Sequence, residues 1–127
     1  MIKVVRKHMK TDKRYLYGNI VAYVNKKNDT CIPKHMLDVA WVSMLHFHNF
    51  SVLYQENAEM IMSVYDSLKP GGKLVIADEP FENIPNPALN IITHYQKAGF
   101  VLVRGPIQDP IIKASFYLIF TKPDLSD

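Results

Sequence analysis

Residues Leu68 to Pro80, Leu-Lys-Pro-Gly-Gly-Lys-Leu-Val-Ile-Ala-Asp-Glu-Pro, constrain this chain more than any other stretch. Upstream, Ala58, Ile61, Met62, Tyr65 and Leu68 recur at i, i+3, i+4, i+7 and i+10, which predicts an amphipathic helix over about 52–68. Pro70 disfavours helical geometry at Lys69, and the glycines after it accept positive φ without steric cost, so the helix stops in a turn. The short apolar run Leu74-Val75-Ile76-Ala77 then predicts a strand buried on both faces. That strand ends on two carboxylates, Asp78 and Glu79. A helix turned directly into a buried strand predicts an α/β protein, with its functional groups at strand C-termini.

The remaining segments extend the alternation. Residues 2–16 read as a helix with Lys3, Arg6, Lys7, Lys10, Lys13 and Arg14 on one stripe and Ile2, Val5, Met9 and Leu16 mostly opposite. Ile20 to Val24 reads as a strand, Asn25 to Lys34 as a loop, and Asp38 to Leu45 as a second strand that stops at His46-Phe47-His48-Asn49. After Pro80 comes a proline-rich loop to Pro87, then a helix over 88–98 using Leu89, Ile92 and Tyr95. Ala98-Gly99-Phe100 supplies a glycine C-cap. Val101 to Val103 is a strand, Gly105 to Ser115 a turn-rich connection, and Phe116 to Phe120 a last strand before Pro123. The order α-β-β-α-β-α-β-β predicts a mostly parallel sheet covered by helices, its last two strands antiparallel. Trp41 and the methionines read as core.

At 127 residues the chain fits one domain. Its only cysteine, Cys31, excludes an intrachain disulfide and suits a reducing compartment. No apolar run approaches the roughly 20 residues of a membrane span, and the basic N-terminus lacks the apolar core of a secretory signal. The expected location is cytoplasmic. The net charge of +3 conceals an asymmetry: residues 1–27 hold eight basic side chains against Asp12 alone, a charge of +7 that leaves −4 elsewhere. The basic stripe reads either as a solvated helix surface or as a contact for nucleic acid or an acidic protein. Nucleic acid is disfavoured, because no aromatic residues interleave the basic ones to stack on bases.

Taken in order, four features resemble the C-terminal half of class I S-adenosylmethionine-dependent methyltransferases. They are the strand and exit Asp38 to His46, the turn Leu68-Lys69-Pro70-Gly71-Gly72, the strand Lys73 to Asp78, and Ala98-Gly99-Phe100 leading to a hairpin that ends Phe120-Thr121-Lys122-Pro123. The resemblance spans roughly residues 18–123. It implies a partial Rossmann-like fold in a single domain, 1–127, in which Asp38 opens the family's fourth strand and Asp78 ends its fifth. The family's Gly-rich loop of G-x-G-x-G type has no counterpart: the five glycines are 18, 71, 72, 99 and 105, and no two are separated by one residue. The first strands are thus expected to be missing. The exposed edge of the Val39–Leu45 strand is expected to pair with another copy or with a partner chain.

The resemblance also implies roles. S-adenosylmethionine is the implied cofactor, approached by Ser43, Met44 and Leu45 mainly through backbone, with methyl transfer to a small molecule as the implied reaction. His46 is a candidate general base, and His48 a weaker one, because a histidine after this strand in related O-methyltransferases takes a proton from a substrate hydroxyl. The alternative is that both line the mouth of the site or cap the next helix. Two histidines at i, i+2 also have chelating spacing, but no partner motif accompanies them, so no metal is expected. Asp78 and Glu79 would orient a polar substrate, or else be solvated residues at a strand end. A rival function is a non-catalytic interaction module that uses the basic first helix.

Overall fold

A computed structural model of the protein describes residues 24–43, 54–78, 87–112 and 115–125. The basic first helix, nearly all of the Ile20–Val24 strand, Met44, Leu45, His46, His48 and Glu79 lie outside the described residues. What is described is a four-stranded sheet with two helices: β1 (Leu37–Val42), α1 (Tyr54–Ser67), β2 (Leu68–Asp78), α2 (Pro87–Ala98), β3 (Val101–Gln108) and β4 (Phe116–Thr121). The strand order is β1-β2-β4-β3. β1 and β2 are parallel, whereas β4 runs antiparallel to both β2 and β3.

The expected mostly parallel sheet is therefore corrected. One reversed strand in the interior makes both of its own pairings antiparallel, so two of the three described pairings are of that kind. The expected antiparallel relation of the last two strands holds.

The Pro-Gly-Gly segment does turn the chain, but inside β2 rather than before it. Leu68 already pairs with Leu37, and regular pairing resumes at Lys73 opposite Val39. Between them Pro70 precedes Gly71 at φ +80°, the arrangement of a type II turn, which needs glycine at its third position. The backbone polar groups of the turn do not go unpaired: Gly71 N–H donates to Lys122 O (2.8 Å) and Lys122 N–H to Gly72 O (2.9 Å). β3 also outruns its expected length. It passes through the segment read as a turn-rich connection, with register shifts between Leu102 and Ile107 and a cis Gly105–Pro106 bond. Proline lacks a ladder donor and is tolerated here because β3 is an edge strand and the register is broken.

Both described helices pack on one face of the sheet. Leu74 and Ile76 of β2 stand opposite Phe120 and Leu118 of β4, and all four are fully buried. Against them pack Ile61, Val64 and Leu68, then Ile91, Tyr95 and Phe100. Tyr95 stacks on Phe120 at 5.5 Å between centroids, and Phe100 meets Tyr65 edge-on at 5.0 Å. Val75 and Ala77, on the other face, are only half-buried, so β2 is not equally enclosed on both sides as expected.

The helix faces are rotated from the expected ones. α1 buries Asn57, Met60, Ile61, Val64 and Ser67, whereas Met62 is exposed. α2 buries Ala88, Ile91 and Tyr95 and exposes Leu89. A buried lysine fastens this layer: Lys122 Nζ donates to Tyr65 O (2.8 Å) and Leu68 O (2.9 Å) and lies 4.5 Å from the Tyr65 ring centroid. It places a positive charge where the α1 dipole is negative and where carbonyls lack intrahelical donors.

Candidate functional site

The register decides which residues share an edge. Trp41 lies opposite Val75 and Val42 opposite Ile76, so parallel β1 and β2 finish together. β4 starts there, with Tyr117 opposite Ala77 and Phe116 opposite Asp78, and β3 ends there, with Ile107 opposite Tyr117. In open α/β sheets this carboxyl edge is where ligands bind.

Alternation then sorts the edge residues between the two faces. Asp78 points with Phe116 to the helix-covered side and is 5% exposed. There the Tyr95 hydroxyl is pushed well above its ordinary pKa, first by burial and then by the charge of Asp78. Ser43, exposed at the end of β1, belongs to the opposite face with Trp41. Of the seven residues the sequence nominates, Ser43 and Asp78 are the two described, and the sheet sends them to opposite sides.

Sequence reasoning missed the group that does meet at this edge. The Trp41 ring, read as core, is 63% exposed and stands edge-on to Tyr117, with centroids 6.3 Å apart and planes at 63°. Tyr117 donates its hydroxyl to Asp109 Oδ2. Asp109 Oδ1 in turn accepts from the backbone N–H of Ile111 (2.8 Å) and Ile112 (2.8 Å). The Tyr117 hydroxyl first, then the two amides, hold this carboxylate below its usual pKa, and the same bond raises that of Tyr117. The available signal was Asp109-Pro110, since an aspartate whose side chain bonds the backbone two residues on is a turn former.

A cleft of about 390 Å³ runs along the outer edge of β1, between the 25–32 loop and α1. Val39, Trp41, Met60 and Val64 make its wall apolar, and Thr30, Ser43 and Ser67 contribute hydroxyls. The loop is held onto α1 through Asp29: its Oδ1 accepts from Cys31 N–H (2.8 Å) and from the Ser63 hydroxyl (3.1 Å). Those bonds, the backbone one first, lower the Asp29 pKa. Among the described residues no three His, Cys, Asp or Glu side chains come together as a metal site, and no helix is long and apolar enough to cross a membrane.

Two depressed carboxylates give an acid dependence. A carboxyl whose folded pKa lies below the unfolded 3.8 contributes stability above that value and loses it as pH falls through the folded one. The urea unfolding midpoint should therefore drop between about pH 5 and about pH 3. In the double variant Asp29→Asn/Asp109→Asn the drop should be smaller. An equal drop would remove both groups from the account.

S-adenosylmethionine would ask this cleft for close backbone N–H approach to its carboxylate end and for an acceptor on its ribose diol. The described residues do not fit that demand. Gly71 and Gly72 lie at the far end of β2, Gly99 closes α2 and Gly105 sits in β3, so no described glycine reaches the cleft. No carboxylate among the described residues lines it either. What is present is an apolar wall with hydroxyls.

No family model matches the sequence, and none of the curated proteins matches it. Solved structures do match. A S-adenosylmethionine-dependent methyltransferase from Aquifex aeolicus superimposes with a TM-score of 0.70 at 18% identity, over 95% of this chain and 63% of that one. A chain of the Haloferax volcanii complex between the Trm112 methyltransferase activator and a methyltransferase gives 0.72 at 13% identity, over 97% and 68%. The (4+2)-cyclase SpnF gives 0.69 at 14% identity, over 96% and 62%. The fold is therefore methyltransferase-like, and this chain spans less than two thirds of the Aquifex and cyclase chains.

Proposed function

We propose that this chain supplies the acceptor side of an S-adenosylmethionine-dependent methyltransferase fold, and that by itself it holds the cofactor weakly or not at all. Two observations support the first part: the described order β1-β2-β4-β3 with β4 alone reversed, and a superposition on the Aquifex methyltransferase that covers 95% of the chain at a TM-score of 0.70. The second part rests on the cleft beside β1, to which the described residues bring hydroxyls and apolar surface but neither a glycine nor a carboxylate. The cyclase match marks the boundary of fold-level reasoning, since one architecture hosts different chemistries and function resides in the site.

On this reading the methyl acceptor is a small molecule that lies over the carboxyl edge. His46 and His48, a few residues beyond the end of β1, are carried as the base candidates, and Glu79 beside Asp78 as a polar contact. β1, the outermost of the described strands on its side, would pair with a second copy or with a partner chain that completes the cofactor grip.

Calorimetric titration with S-adenosylmethionine and with S-adenosylhomocysteine tests the reading. No saturation is expected at or below ~100 μM, which corresponds to less than about 5.5 kcal/mol of binding free energy. Saturable low-micromolar binding by the chain alone would overturn the claim of a disabled grip. Millimolar-weak binding that a partner chain restores would support it.

A further inference from the structure

We propose that Trp41, Tyr117 and Asp109 form a subsite for the ammonium group of a small cationic ligand. The two rings stand at 63° to one another, 6.3 Å between centroids, near the carboxyl edge, with Trp41 opposite Val75 and Tyr117 opposite Ala77. Aromatic faces carry negative potential and attract an ammonium, most strongly for tryptophan. Asp109 adds a full negative charge directly behind Tyr117, tied to it through the phenol. Its other oxygen is fixed by two backbone amides at 2.8 Å, so the carboxylate cannot swing away into water. Exposure sharpens the argument: Trp41 is 63% exposed, an unusual position for the largest apolar side chain unless its face is used.

Among the described residues two cations lie deeper in the sheet than Tyr117. Lys73 lies two rows deeper, opposite Thr121, and donates to its hydroxyl at 3.1 Å. Arg104 stands opposite Ile119, one row deeper on the edge strand. On the side toward β1, the row of Ala77 and Tyr117 leads to Ser43, whose hydroxyl gives a cationic alcohol or amine a second contact. On the methyl-transfer reading this corner would recognise the acceptor. The subsite does not require that reading, and the measurement below contains no S-adenosylmethionine, so the two proposals fail separately.

Trp41 is the only tryptophan in the chain, so its fluorescence reports on the subsite directly. Choline chloride is titrated against the full chain, with its neutral carbon isostere dimethylbutanol and with sodium chloride as controls. Choline is expected to change the emission saturably with a dissociation constant of about 1–10 mM, while the isostere binds at least about tenfold more weakly. Asp109→Asn keeps the Oδ1 acceptor for the two backbone amides, turns the Oδ2 acceptor into an amide donor to which the Tyr117 hydroxyl can rotate as acceptor, and removes the charge. It should weaken choline about tenfold and leave the isostere unchanged. Equal responses to choline and isostere, no saturation with choline, or an unaltered choline response in a folded Asp109→Asn variant would each overturn the proposal. The isostere comparison uses the unmodified chain and so stands even if the variant fails to fold.

Discussion

Lys122→Ala is expected to lower the unfolding free energy by about 3 kcal/mol, read from urea denaturation at neutral pH. Two carbonyls, the partly buried Tyr65 O and the buried Leu68 O, would lose a charged donor at 2.8 and 2.9 Å. A hydrogen bond to a charged group contributes about 1.5–3 kcal/mol, and a buried acceptor left without a partner costs about 1–3 kcal/mol. The aliphatic stem and the ammonium–ring contact with Tyr65 would go as well. Part of that loss is offset, because the native state no longer keeps an ammonium at 6% exposure. Lys122→Met separates the contributions. It keeps the volume while removing both the donor and the charge, and should cost about 1–2 kcal/mol. If alanine costs less than about 1 kcal/mol, Lys122 is not the fastener described above.

Gly105→Ala is expected to cost roughly 2–4 kcal/mol, through backbone strain rather than lost contacts. Gly105 has φ +118°, a region that L side chains rarely adopt. A Cβ at that position would lie 2.6 Å from the Tyr117 carbonyl oxygen and 3.2 Å from Leu118 Cα, both main-chain atoms of the neighbouring strand. Neither can yield as the end of a flexible side chain would. To relieve the clash β3 must move off β4 at the point that sets Tyr117 in place. The same variant should therefore disturb Trp41 fluorescence through the ring contact. An alanine variant as stable as the parent, with unchanged emission, would show that the strands have slack here.

The parts of the fold that were legible in the sequence are those governed by local chemistry. The Pro70-Gly71 turn and the Gly99 cap follow from φ preferences, and both positions have positive φ in the structure. The helix at 54–67 follows from periodicity, but its buried face did not. Asn57 and Ser67 are polar and are not among the apolar positions the periodicity picks out. Ser67 is buried because its hydroxyl donates to Val64 O at 2.8 Å, a partner within the same helix that periodicity cannot see. β3 was cut short because Gly105-Pro106 reads as a breaker. At an edge, a broken register absorbs both residues and the strand continues.

The edge residues were harder to read for a different reason. Asp78 ends its strand as expected, whereas Ser43, expected inside a strand running to Leu45, lies just past β1; neither position reveals which face a side chain takes until the pairing register is known. Asp109 and Tyr117 lie eight residues apart on either side of the β3–β4 connection, and Trp41 is far from both in the chain. Their meeting depends on β4 lying between β2 and β3. Lys122 enters the sequence reading only as part of the hairpin's end, since nothing local marks a lysine that will reach back to a helix end 54 residues earlier.

That interior position of β4 has a consequence for how the chain is made. Among the described strands β4 is the last to be synthesised, yet it alone joins β2 to β3. A growing chain that has reached Ser115 can pair β1 with β2 but leaves β3 with no described neighbour, and the inner faces of Leu74 and Ile76 lack Phe120 and Leu118. Until those last residues leave the ribosome, an apolar strand edge stays open to other chains. Lys122 follows immediately, so the residue that ties α1 to the sheet arrives only when the sheet can close.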